Sequence, residues 1–225
     1  MSKKYYIYQM NVKFLNIFSI IFYFLIIFIT FLIDRNFLLE SFYIDNYFWF
    51  ILMLLLYTCL HEILHSIAYV LHGANFKNIT YGMAFEKGIC YCLCKQNISK
   101  KNILISLLYP FIFIGVLTYI ISIIYHLPML LFLSICNIGG CTGDIIMFFF
   151  ILKIKNIQFS EFDDETSFAL YTDEDLSSKK FFGLNYLGCK DNLDIKDYKK
   201  INVSRGSFIL LFFLFAFGLV SFMVK

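Results

Sequence analysis

Residues 48–71 read FWFILMLLLYTCLHEILHSIAYVL. One carboxylate and two imidazoles sit in a run that is otherwise almost wholly apolar. Its 24 residues are enough to cross a hydrocarbon layer, which takes about 20 residues as a helix. A bilayer core offers the backbone no water, so a spanning run closes its own hydrogen bonds as a helix. Four further stretches share this character: Phe14–Ile33, Ile103–Tyr125, Leu127–Leu152 and Gly206–Val224. Together the five fill about half of the 225 residues.

The composition agrees. Sixty per cent of the residues are apolar, 20% aromatic and only 16% charged, against about a quarter charged in soluble domains. There are 29 Phe and only 2 Pro. A soluble fold of this length has too little interior to hide so much Phe, Ile and Leu, which excludes a soluble enzyme, a nucleic-acid binder and a disordered chain. The expected fold is an all-α polytopic membrane protein. It has about five transmembrane helices, a small cytoplasmic β-hairpin and a small cytoplasmic α+β segment. Its divisions are a membrane domain over 1–152, a cytoplasmic segment over 153–205 and a C-terminal helix over 206–224. Lys3, Lys4 and Lys13 give the first span a signal-peptide look. It is too long for that role, and Phe31-Leu32-Ile33 offers no small-residue cleavage site, so a retained anchor is expected.

The placement of the basic residues sets an orientation. The N-terminal tail, the loop after the second span and the segment 153–205 together carry 17 Lys and Arg; the opposite side carries only Arg35 and Lys225. The reading is a multi-pass protein of the cell membrane with its N-terminus cytoplasmic and its C-terminus outside. Residues 78–95 alternate and hold Glu86-Lys87-Gly88 at their middle, which predicts a hairpin. Phe168–Tyr171 predicts a strand, and Thr172-Asp173-Glu174-Asp175 resembles a capping box that opens a short helix. Cys90, Cys92 and Cys94 recur at period 2 on the cytoplasmic side. They read as packing thiols, because disulfides are disfavoured in that compartment.

The chemistry lies in His61-Glu62-Ile63-Leu64-His65. On a helix, residues four apart share a face one turn apart. Two imidazoles so placed can hold one zinc ion, with the adjacent Glu62 in reach of a metal-activated water as general base. Ionisable groups inside a span are costly and mark function, the alternative being a hydrogen-bonded polar cluster between helices. A catalytic zinc site takes three protein ligands. The only other carboxylate within a span is Asp144, in Asn137-Ile-Gly-Gly-Cys-Thr-Gly-Asp144. Both runs descend toward the same side. At 1.5 Å per residue Asp144 falls about 12 Å above its span's end, between His65 at about 9 Å and His61 at about 15 Å. A structural polar contact or a proton relay is the other reading of Asp144. Glu86 is a further candidate third ligand. His72 is too far along the axis from His65, and His126 lies in an outer turn with nothing to link it to the site. Pro110 predicts a kink in the third span, either a gate or a packing adjustment.

On these motifs the chain resembles the intramembrane zinc metalloproteases of the site-2 protease type, and more closely the DUF3267 family of zincin peptidases. The carriers are His61-Glu62-x-x-His65 in one span and Asn137 to Gly143-Asp144 in a later one. The Asn-to-Asp spacing of seven is kept, while no Pro follows Asn137 and no Gly follows Asp144. The resemblance covers roughly residues 48–175 and implies that Asn137 lies near the active site. The expected protein is an intramembrane zinc metallopeptidase. Zn2+ rests on His61, His65 and Asp144, and Glu62 is the catalytic base. Asn137 is a catalytic donor to the developing oxyanion or the substrate backbone, and the substrate is a membrane-embedded or membrane-associated protein. The rival readings are a non-hydrolytic membrane metal sensor or transporter, and an inactive peptidase-derived structural or immunity protein.

Overall fold

A computed structural model describes residues 4–43, 47–84, 89–161 and 167–191. Glu86, the hairpin turn and the 206–224 span lie outside the described residues. The chain opens with strand β1, Lys4–Met10, and passes at once into helix α1, Val12–Ile33. Asn11 makes that junction, its side chain accepting the Phe14 N–H as an N-cap. A short α2, Arg35–Ser41, is capped the same way by Asp34 and leads to α3, Tyr47–Leu71. Strands β2, Ile79–Ala84, and β3, Ile89–Cys94, pair antiparallel, with Ile79 opposite Cys94 and Tyr81 opposite Cys92. The two-residue β4, Ile98–Ser99, runs into α4, Lys100–Pro110, whose N-cap is Ser99.

Beyond Pro110 the helix continues as a π-turn, Phe111–Val116, and then as α5, Leu117–Tyr125. The turn back is made at His126, in the left-handed region at φ 48°. Helices α6, Pro128–Gly140, and α7, Thr142–Leu152, follow, bent by 42° about Cys141. The described chain ends in β5, Gln158–Glu161, β6, Ser167–Thr172, and β7, Leu184–Lys190.

The all-α expectation is overturned. Five strands form one antiparallel sheet in the order β4-β5-β6-β1-β7, so the fold is α+β. Lys4–Met10, read from the sequence as a basic tail, lies in the interior of that sheet, between β6 and β7. Its alternate residues Tyr6 and Tyr8 are buried, the period-2 pattern of a strand with one face on a core. That core is the end of α7. The ring of Tyr8 meets Phe150 edge-on at 4.8 Å, and Phe168 lies between Phe150 and Phe159. The Tyr8 hydroxyl donates to Leu176 O at 2.9 Å, so burial leaves it satisfied. Thr172–Asp175 does not open a helix. Thr172 Oγ1 accepts the Glu174 N–H and Asp175 accepts the Ser177 N–H, which closes turns at the end of β6.

Among the described residues three helices are long and apolar enough to cross a membrane: Val12–Ile33, Phe48–Leu71 and Lys100–Tyr125. The bent α6–α7 pair makes a fourth if it counts as one span. The side chains on their outer surfaces, such as Phe24, Leu32, Phe48 and Ile124, are exposed, as lipid-facing apolar residues are. The sheet fixes how the helices run. β1 precedes α1, β4 precedes α4 and β5 follows α7, and all three strands lie in one sheet. The starts of α1 and α4 and the end of α7 therefore share one end of the molecule.

Candidate metal centre

Helix α3 delivers His61, Glu62 and His65. One turn of helix sets the two imidazole centroids 4.9 Å apart. Asp144 arrives on the first turn of α7, just past the bend at Cys141. The bend falls in Gly139-Gly140-Cys141-Thr142-Gly143, where three glycines weaken the helix. There Thr142 Oγ1 turns back to donate to Gly139 O at 2.6 Å. Asn137 and Asp144 consequently belong to two helices, yet both reach His61. Asn137 Oδ1 stands 2.9 Å from Nδ1 and Asp144 Oδ2 stands 3.3 Å from Nε2.

The hydrogen bonds around the rings fix their tautomers. His65 Nδ1 lies 3.0 Å from Ser106 O, a carbonyl that can only accept, so Nδ1 carries the proton. The Asn137 amide nitrogen donates to Pro110 O at 3.2 Å. Its oxygen therefore faces His61, and His61 Nδ1 is again the donor. In the neutral rings both Nε2 atoms then carry bare lone pairs. They point at one another across 3.2 Å, and at Asp144 Oδ2 across 3.3 and 3.4 Å. Three acceptors that converge with no proton between them repel, and a cation at their centre removes the repulsion. Tetrahedral ligands at about 2.0–2.1 Å from zinc stand about 3.3–3.4 Å apart. The three separations match that edge length, so the donor set fits zinc in number, type and spacing. Among the described residues this is the one group of His, Cys, Asp and Glu side chains close enough to hold a metal ion.

Glu62 is buried beside the group, and the Cys92 backbone of β3 is hydrogen-bonded to its carboxylate. Two cavities meet at His61 and Glu62. One, of about 280 Å³, runs between α1, β3 and α7, with Asn16, Leu93, Asp144 and Met147 in its walls. The other, of about 420 Å³, is bounded by Tyr23, Tyr57, Leu133 and Asn137. Strand β3 thus walls the centre on one side. Cys90 borders both cavities, and burial pushes its thiol up to about 12, with the Glu62 charge adding to the shift. It stays a neutral thiol.

His72 turns away and bonds Ala68 O at 2.7 Å, and His126 packs against Phe37 at the far end of the helices. Neither joins the group. The Ser106 carbonyl does touch it, at His65, and the Pro110 carbonyl reaches it by way of Asn137, roles that no residue type announces. The one signal for them is the spacing of four from Ser106 to Pro110.

Residues 54–159 match the family model DUF3267, described as a putative zincin peptidase. The matched segment begins within α3 and ends in β5, so it holds His61, Glu62, His65 and Asp144 as well as the β2–β3 hairpin. Strand β1, helix α1 and strands β6 and β7 lie outside it. No curated protein and no solved structure matches the chain. The wider likeness to site-2-type proteases rests on the short motifs alone.

Proposed function

We propose that the chain is an intramembrane zinc metallopeptidase that hydrolyses peptide bonds of membrane-embedded or membrane-associated proteins. The observation that carries this reading is the triangle of Nε2, Nε2 and Oδ2 atoms at zinc-ligand spacing, with Glu62 beside it at the meeting of two cavities. His61, His65 and Asp144 are the residues that would hold the metal. Zinc in such a site acidifies a water and polarises a carbonyl as a Lewis acid. Glu62 accepts the water's proton and returns it to the leaving amine. A pure metal carrier has no use for a carboxylate in that position, so the placement of Glu62 favours hydrolysis over the sensor or transporter reading.

A helical substrate hides its carbonyls in its own hydrogen bonds and is unwound before attack. The backbone of Cys90–Leu93 along the cavity supports this step, since an extended chain can be received against a strand edge. The excess of basic residues toward the sheet end supports a cytoplasmic position for it, with the bilayer as the protein's medium.

The test is in two parts. Purified wild type is expected to carry about one zinc per chain by elemental analysis, lost in His65→Ala and in Asp144→Ala. Membranes of cells producing wild type are then compared with those producing Glu62→Gln by sequencing protein N-termini. New N-termini within membrane proteins are expected with wild type alone. Identical termini in both would point to a metal carrier, and a folded wild type that takes up no zinc would leave only a polar contact between helices.

A further inference from the structure

We infer that Pro110 and the π-turn after it are the outer shell of the metal centre, because they expose the two backbone carbonyls that lock both imidazoles with Nε2 toward the ion. The inference deepens the proposed function and rests on it. In an α-helix the C=O of residue i accepts the N–H of residue i+4. Four residues after Ser106 comes Pro110, which has no N–H. The next N–H, that of Phe111, goes to Leu108 O. The Ser106 carbonyl thus lacks its regular helical donor, and His65 Nδ1–H takes that place at 3.0 Å. Ser106 Oγ donates back to His65 O at 3.3 Å, which clasps α4 to α3 at the level of the ligand.

The second ring is held one step further away. Past Pro110 the ladder shifts to i−5, as in Leu117 N–H to Ile112 O. In this widened wall Pro110 O accepts the Asn137 amide at 3.2 Å, and Asn137 Oδ1 accepts His61 Nδ1–H at 2.9 Å. Gly115 makes the room. A Cβ there would stand 3.3 Å from the Asn137 amide nitrogen and 3.0 Å from Ile138 Cγ1. One helix defect therefore serves both rings. π-turns often sit at functional sites, and ligating imidazoles almost always donate their other N–H to an oxygen that sets tautomer and ring direction. Asn137 is on this view a positioning residue, both ends of its amide being engaged within the protein.

The test uses the full chain in detergent, with zinc alone as the probe. In Pro110→Ala the restored N–H competes for Ser106 O, and zinc affinity by competition against a chromophoric chelator is expected to fall about 10–100-fold, the range for outer-shell partners. In metal-free, 15N-histidine-labelled protein, wild type is expected to show His61 and His65 protonated at Nδ1, and Pro110→Ala to move His65 toward the other tautomer. Gly115→Ala, which crowds Asn137 and leaves Ser106 alone, is expected to disturb His61 and spare His65. It also serves if Pro110→Ala does not fold. A Pro110 that merely bends the helix would change Tm and leave tautomers and affinity as they were, which overturns the inference. A wild type that binds no zinc would sink the peptidase reading instead, and the tautomer spectra separate the two failures.

Discussion

His61 is held at Nδ1 by the Asn137 oxygen of α6, and its Nε2 faces the Asp144 carboxylate of α7 across 3.3 Å. A ring so held has little freedom left, and the entropy of ordering it is met before any ion arrives. Asp144 is the most telling side chain to change. Asp144→Asn keeps the volume and one oxygen and removes the charge that balances the ion. Zinc affinity should drop by more than about 100-fold, beyond the loss typical of an outer-shell partner, with the helical circular dichroism unchanged. The pairing of His61 with His65 was legible because a helix turns a spacing of four into a shared face. Asp144 was legible because a carboxylate in an apolar run is rare. The bend at Cys141, which puts Asn137 and Asp144 on different helices, was not expected from two residues seven apart. Ser106 and Pro110 were out of reach for a different reason. They act through backbone oxygen, which every residue has, so only the missing N–H of a proline four places on could have drawn notice.

At the scale of elements, the glycines of α6 do what their size allows. A Cβ on Gly139 would come within 2.2 Å of the Tyr23 ring, whose hydroxyl donates to Cys136 O at 2.9 Å. Tyr23 therefore lies flat against α6 and pins α1 to it. Gly139→Ala should cost about 1–3 kcal/mol by overpacking, read as a lower Tm in detergent, and Tyr23→Leu added to it should recover part of the loss. Strand β1 shows why the sheet escaped notice. Its seven residues alternate as a strand should, but its neighbours β6 and β7 lie more than 150 residues away, and a basic stretch before a long apolar run reads first as a topogenic tail. The β2–β3 hairpin carries its signal locally, in alternation around Glu86-Lys87-Gly88. At Thr172 and Asp175 the side-chain oxygens take backbone N–H groups two residues on and close turns, where a helix cap was expected, because no amphipathic run follows to pack as a helix.

At the scale of the whole molecule, apolar helices project from one sheet that gathers their ends. The proposed orientation puts that sheet on the cytoplasmic side, and Cys189 on β7 tests it, because it is exposed. A membrane-impermeant maleimide should label Cys189 in inverted vesicles and not in intact cells, with Cys189→Ser as the blank. Labelling from outside would reverse the orientation. Composition was enough to predict a membrane protein, since no soluble core absorbs 29 Phe in 225 residues. It said nothing of the sheet, because strands this short scarcely move the totals.

The interior place of β1 also sets an order of events during synthesis. Lys4–Met10 is made before both of its neighbours and waits until β6 and β7 have followed. By then α1 to α7 have already been made. The sheet is thus closed by a strand tethered to α1, so its assembly cannot run ahead of the synthesis of the helices between β1 and β6.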